Sequence, residues 1–430
     1  MTFVRTYRFE IAIVVLALVV RFACFFVVID ANQGSVVGAI HGDDGYFEIT
    51  TNVLAGNGFS SATTSPYIPN PLRTPGYIYF LAGLLAATGS YAVVATIQIL
   101  LSTLIPLLGM RIARHLTGSQ SIALAAGIIL ALDPTLALLS FQFYTETLFV
   151  VLFFIWLLLT FRYLEKPSPT TLVLGAAVLG FAILTKTTVQ YLPLIMVPFI
   201  LWRHGRTDMR RGAAHVAVYL CIVGAILAPW VMRNVRDFGT AGLSAQTPFV
   251  LYTNLAPAVL SIANNTPFAD ELKTFLTPAE YQGTVITLAN GGEYSARALE
   301  IVRAHPAATF FVATKSLFTF FTNDGFYTLL ARSGHTPTDF LPLLIAARLV
   351  WIAITIAAFI GALVYLLTRR SQLAILVILL VAYFALTSTI AAFGTNPRYR
   401  LPVDPVIIAL AGIGCTSLIA LLRRRKLFLE

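Results

Sequence analysis

GDDGYFEITTNVLAGNGFSSATTSPYIPNPLRTPGY, residues 42–77, is a polar stretch set into a chain that is apolar on either side of it. It carries two adjacent carboxylates, Asp43 and Asp44, just past a first apolar run, and it closes on Arg73 as the chain returns to apolar sequence. A helix needs about 20 apolar residues to cross a bilayer. The flanking runs near that length read as spans, and the stretch itself as a loop at the membrane surface. Within it, Tyr46, Phe47, Ile49, Val53 and Leu54 recur at near-helical spacing, which predicts an amphipathic helix over 44–56. Residues 76–88 are apolar but short, and end at the Thr88-Gly89-Ser90 turn. They predict a juxtamembrane helix.

Composition agrees with this reading. Over 430 residues the chain is 58% hydrophobic and 11% charged, with a mean hydropathy of +0.82. A soluble globular protein does not carry that balance. The formal charge of +10 does not point to nucleic acid, because Lys and Arg fall in short clusters between apolar runs, where the positive-inside rule places them. Cys24, Cys221 and Cys415 lie within apolar runs and read as small hydrophobes rather than disulfide partners or zinc ligands. Arg5 and Arg8 precede the first run and no small-residue cleavage site follows it, so an uncleaved first span is expected.

Runs at roughly 10–29, 91–111, 120–140, 144–162, 170–185, 188–202, 213–232, 340–368, 372–392 and 402–422 give ten crossings in a single all-α polytopic domain covering 1–430. The basic clusters at Arg5 and Arg8, Arg111 and Arg114, Arg162 and Lys166, Arg203 to Arg211, Arg369 and Arg370, and Arg423 to Lys426 then share one side. That side is cytoplasmic, as are both termini, which makes this a multi-pass plasma-membrane protein with 30–90 and 235–339 as external loops. Arg21 interrupts the first span and must face protein or water, or snorkel; a structural ion pair is favoured over catalysis. Pro229 should end or kink its helix. The segment 235–339 has turn signals at Asn264-Asn265 and Gly291-Gly292, and its apolar run 307–321 is placed in the interface.

In this topology Asp43, Asp44, Arg73, Glu146, Lys186, Arg233, Arg398 and Arg400 fall on one external face. An acidic centre ringed by cations at a membrane surface suits a substrate with a lipid tail and a phosphate-ester head, since arginine clamps phosphate at two points and lysine binds it as a point charge. Sugar transfer from such a lipid needs a carboxylate to take the proton of the attacking hydroxyl and fixed cations for the phosphate leaving group. No soluble nucleotide-binding domain is visible. Each residue also has a structural reading. Asp43, Asp44 and Glu146 could cap helices; Arg398 and Arg400 could be interfacial anchors; Lys186 could bind free carbonyls between two short helices. His41 with the two aspartates would suit a divalent cation, but the pattern is common on surfaces and no metal site is assigned. The rival classes are a transporter or flippase, which would place its ionisable groups near the midplane, and a polymerase or ligase of lipid-linked glycans.

Several short motifs resemble one family. Gly-Asp-Asp (42–44), Leu-Ala-Gly-Asn-Gly-Phe (54–59), Arg-Thr-Pro-Gly-Tyr (73–77), Thr-Glu (145–146), Leu-Thr-Lys (184–186), Pro-Trp-Val-Met-Arg-Asn (229–234) and Arg-Tyr-Arg-Leu-Pro (398–402) stand in order at span ends. The chain thereby resembles the GT-C membrane glycosyltransferases, and among them the bacterial relatives of protein O-mannosyltransferases and lipid A aminoarabinose transferases. The resemblance implies a GT-C transmembrane bundle and an inverting transferase using a polyprenyl-phosphate sugar, with a lipid, glycan or protein hydroxyl as acceptor. It implies Asp43 as general base, Asp44 as the neighbour that shapes or substitutes for it, and Glu146 as the second-loop acid. Arg73 would lie near the donor phosphate, with Tyr77, Lys186, Arg233, Arg398 and Arg400 completing the substrate-binding set. Many relatives carry Asp-Glu where this chain has Asp-Asp, and the large C-terminal periplasmic domain of some relatives is missing.

Overall fold

The structure is a computed structural model that describes residues 7–205, 208–369 and 371–426; Arg5, Arg206 and Arg370 lie outside the described residues, as do the side chains of Arg424, Arg425 and Lys426. Among the described residues it is helical throughout, without strands. By length and composition, seven helices among the described residues can cross a membrane: Arg8–Ala31, Tyr91–Thr117, Glu146–Glu165, Met209–Phe238, Pro337–Arg369, Gln372–Gly394 and Asp404–Arg423. The remaining expected crossings correspond to shorter helices, Gln120–Leu132, Pro169–Thr185 and Leu192–His204.

Glu146–Glu165 is the central post, with Phe149, Phe153, Phe154, Trp156 and Phe161 buried. The helices Leu104–Thr117, Pro169–Thr185, Leu192–His204 and Asp404–Lys426 pack into the same core. Burial on all sides explains why its sequence shows no apolar stripe. A second cluster joins the first span to the first loop through Phe25, Ile40, Tyr46, Ile49 and Phe141. That cluster holds the polar loop against the bundle.

Three expectations need correction. The helix Met209–Phe238 does not end at Pro229 but continues past it. Its far end is tied down by Trp230 Nε1, which donates to Leu243 O at 2.8 Å, and by Asn234 Nδ2, which donates to Gly242 O at 2.8 Å; a proline removes one backbone bond, and packing of this kind holds the helix together around it. The run 120–140 is two helices, Gln120–Leu132 and Pro134–Leu139, because Asp133 precedes a proline and caps the second helix at Leu136 N, 2.7 Å away. Gly291-Gly292 begins the helix Gly291–Ala304 rather than making a turn.

Arg21 is fully buried. Its Nε donates to Ser102 Oγ at 2.7 Å and its Nη1 to Ala131 O at 3.2 Å. It ties the first span to two neighbours, as an arginine facing protein in a membrane must.

Candidate active site

Two close backbone approaches build the site. Phe143 N donates to Ile40 O at 2.8 Å, and a Cβ at Gly42 would come within 2.8 Å of Phe143 O. Only glycine lets the first loop lie this close to the segment that leads into Glu146. Likewise a Cβ at Gly76 would meet the Leu184 carbonyl carbon and oxygen at 2.8 Å. Gly76 therefore brings the Arg73 turn against the end of Pro169–Thr185, where Lys186 emerges.

Arg73 is held from behind: Asn70 Oδ1 accepts from Leu72 N at 2.9 Å and from Arg73 N at 3.0 Å. Arg398 stands on a 3₁₀ turn, Pro397–Tyr399, after a bend in which Ala392 has φ 49° and its carbonyl accepts from Ser316 Oγ at 2.9 Å. Asn396 Oδ1 accepts from Arg398 N at 3.1 Å.

These supports deliver five charged side chains to one cavity of about 420 Å³. Arg73 Nη2 donates to Asp44 Oδ1 at 3.3 Å and Arg398 Nη1 to Asp44 Oδ2 at 3.0 Å. Arg73 Nη1 also donates to Gln246 Oε1 at 3.2 Å. Lys186 Nζ lies 2.7 Å from Glu146 Oε1. Burial alone would raise the Asp44 carboxyl, but the Arg398 and Arg73 guanidiniums outweigh it and hold it at about 2. Arg398 keeps a buried Nε without a partner. Aromatic faces fill the gaps, with Arg73 over Tyr46 at 5.1 Å and Lys186 near Tyr399 at 5.7 Å. Val250, Phe384, Leu386, Ile390 and Pro402 give the cavity an apolar part of its lining.

The other expected site residues stand outside this cavity. Asp43 is not among the residues that line it, although the adjacent Asp44 is; the Asp43 side chain is 67% exposed and ion-paired with Arg332, and its amide donates to Tyr144 Oη at 3.0 Å. Tyr77 is buried and donates its hydroxyl to Gln98 Oε1 at 2.7 Å. Arg233 pairs with Asp237 at 2.8 Å and covers Trp230. Arg400 is fully buried, its Nε 2.6 Å from Asp404 Oδ1 and its guanidinium 3.5 Å from the centre of the Trp351 ring. The capping reading of the aspartates does not describe their contacts, since Gly45 is the N-cap of Tyr46–Leu54 and no side chain caps that helix. His41 bonds Glu48 at 2.9 Å, and no group of three or more His, Cys, Asp or Glu is gathered for a metal among the described residues. Arg332 and Gln246 went unrecognised in the sequence. Both lie in or beside the long 235–339 segment with no motif around them.

Residues 72–232 match the family described as dolichyl-phosphate-mannose-protein mannosyltransferase. That segment carries Arg73, Glu146 and Lys186 but ends before Arg398. No curated protein matches the chain significantly. Among solved structures, the apo oligosaccharyltransferase of Archaeoglobus fulgidus superposes over 97% of this chain with a TM-score of 0.56 at 16% identity. The chain has a GT-C-type helical membrane fold. It spans about half (52%) of that archaeal protein, so the likeness is one of GT-C architecture. In GT-C terms, the first-loop Asp-Asp and the last-loop Arg398, which flank the matched segment in sequence, meet it in space through the Asp44 pairs.

Proposed function

We propose that this protein is a membrane glycosyltransferase that moves a sugar from a polyprenyl phosphate to a hydroxyl acceptor, with inversion, at the external face of the plasma membrane. The observation that carries this reading is the charge of the cavity: Arg73, Lys186 and Arg398 against Asp44 and Glu146 leave one net positive charge. A sugar esterified to a polyprenyl monophosphate is a phosphodiester with one negative charge. The two match. A lipid diphosphate would bring more charge than the cavity neutralises, and a transporter has no need of an acid–base group at the rim.

In this reading the phosphate takes donors from Arg398, Arg73 and Lys186, which stabilise the charge that grows on the leaving oxygen. The polyprenyl chain follows the apolar wall past Leu386, which is 63% exposed on the bundle's outer surface. The acceptor hydroxyl loses its proton to a carboxylate as its oxygen bonds the anomeric carbon and the bond to phosphate breaks. Asp43, at the rim and open to solvent, is the base. Asp44, engaged by two arginines and held at about 2, is a weak proton acceptor and serves to set the guanidiniums. Glu146 sets Lys186 in the same way.

The test supplies purified protein in lipid nanodiscs with polyprenyl-phosphate-[³H]mannose, polyprenyl-phosphate-[³H]glucose and the corresponding diphosphate-linked sugars. Turnover of a monophosphate donor, with release of polyprenyl phosphate, is expected. Turnover of the diphosphate donors alone, or of none, overturns the reading.

A further inference from the structure

A second cavity of about 380 Å³ lies between the short helix Phe326–Arg332 and the start of the long helix Leu341–Arg369. Its walls are Tyr327, Leu344, Ile345 and Leu349; its polar end is Asn323, Asp324 and Arg348. We propose that this groove binds an anionic phospholipid from the leaflet on the active-site side, with the phosphate on Arg348 and an acyl chain along Leu344, Ile345 and Leu349. The proposal does not depend on the sugar-transfer reading.

Three observations lead there. Ile345 and Leu349 are 52% and 58% exposed and belong to a helix apolar enough to cross the bilayer, so the groove is continuous with the surface that lipid covers. Arg348 stands seven residues beyond Leu341, about 10 Å along the helix, at a depth where a charge must pair or snorkel. Its pairing within the protein is slack. Nε lies 3.9 Å from Asp324 Oδ2, beyond hydrogen-bond range, while Asp324 Oδ1 accepts from Phe326 N at 2.9 Å. The Arg348 side chain is 40% exposed, which leaves its guanidinium open to the two-point bonds that a phosphate accepts. An uncharged lipid would use the apolar wall and leave this arginine as it is.

One helix links the groove to the first loop. Tyr327 and Thr328 line the groove, and the same helix, which buries none of its side chains, ends in the Arg332 that pairs with Asp43. A lipid seated here braces that helix.

Native mass spectrometry of the full chain tests the site, with dioleoylphosphatidylglycerol and dioleoylglycerol as probes sharing acyl chains and differing in the phosphate. Wild type should retain one phosphatidylglycerol under conditions that strip dioleoylglycerol. Arg348→Gln should weaken that retention about tenfold, the scale of one lost charge-assisted pair, and Arg348→Lys should restore part of it. Ile345→Trp fills the groove without touching charge and should weaken it similarly; it decides the matter if Arg348→Gln does not fold. Equal retention of the two probes, or wild-type retention by Ile345→Trp and by whichever Arg348 variant folds, overturns the proposal.

Discussion

Arg398 and Arg400 are two residues apart and share one motif, yet their replacement by Gln should have opposite consequences. Arg398 lines the cavity, donates to Asp44 at 3.0 Å and keeps a buried Nε without a partner. Removing it takes the cavity from one net positive charge to none. A guanidinium about 4 Å from a phosphate is worth about 4 kcal/mol at an effective dielectric constant of 20. The net worth of a charge-assisted hydrogen bond is about 1.5–3 kcal/mol, so the donor Kd should rise about 10- to 150-fold. Arg400 has no access to the cavity. Its loss leaves Asp404, itself fully buried, as an uncompensated charge, at a cost of about 3–5 kcal/mol. Arg400→Gln should therefore show as low yield and low Tm, with a normal donor Kd in whatever protein survives. The assay is binding of polyprenyl-phosphate sugar in nanodiscs, with size-exclusion of the same samples to score folding. If folded Arg400→Gln binds as weakly as Arg398→Gln, or Arg398→Gln binds normally, the division drawn here is wrong.

Other outcomes follow from the same geometry. Asp43→Asn should lower turnover about 10²–10⁴-fold with donor binding retained, measured as single-turnover release of labelled sugar; near-normal turnover removes Asp43 as base. The Asp44 carboxyl is lowered from 3.8 to about 2, so its ion pairs contribute about 2 kcal/mol above pH 4 that is lost as pH falls through about 2. The Tm gap between wild type and Asp44→Asn should hold steady above pH 5 and close towards pH 2; a gap unchanged across that window argues against the pairs. Gly76→Ala forces a Cβ against the Leu184 carbonyl, which should cost about 1–3 kcal/mol and raise the donor Kd by displacing Lys186. Wild-type values for both would show that the approach is not needed. Cysteines placed at Ser61 and Asn290 should react with an impermeant reagent in intact cells, and protection of either would reverse the assigned sides.

The helical bundle was legible because its signal is composition and run length, which a bilayer imposes directly. Exceptions arose where a local rule met packing. Pro229 was expected to end or kink its helix; it does not end it, and buried Trp230 and Asn234 hold the segment beyond it. The site was half legible. Asp44, Arg73, Glu146, Lys186 and Arg398 were all visible as charges at the ends of apolar runs, and the structure gathers them. Arg233 and Arg400 had the same sequence appearance. What separates them is a carboxylate four residues further along each chain segment, Asp237 and Asp404, which takes the guanidinium within its own helical turn. An Arg with an acid at i+4 has a local partner available, and that spacing was present in the sequence. Arg332 had no such cue; only the fold brings it 289 residues back to Asp43.

The two aspartates show why an adjacent pair resists assignment from sequence. Consecutive side chains in a non-helical turn leave the backbone in different directions, so one substrate face cannot use both equally. Gly42 presses the turn against Phe143, and Tyr144 then fixes it by accepting from the Asp43 amide at 3.0 Å. With the backbone set, Asp44 falls among Arg73 and Arg398, and Asp43 is left on the solvent side with Arg332. A carboxylate that orders two guanidiniums is spent as a proton acceptor. One that must meet an incoming hydroxyl has to face the side from which the hydroxyl comes. In the proposed mechanism the division of labour follows from a glycine and a tyrosine that carry no charge, and exchanging the contacts of the turn, rather than the acids, is what would exchange the two proposed roles.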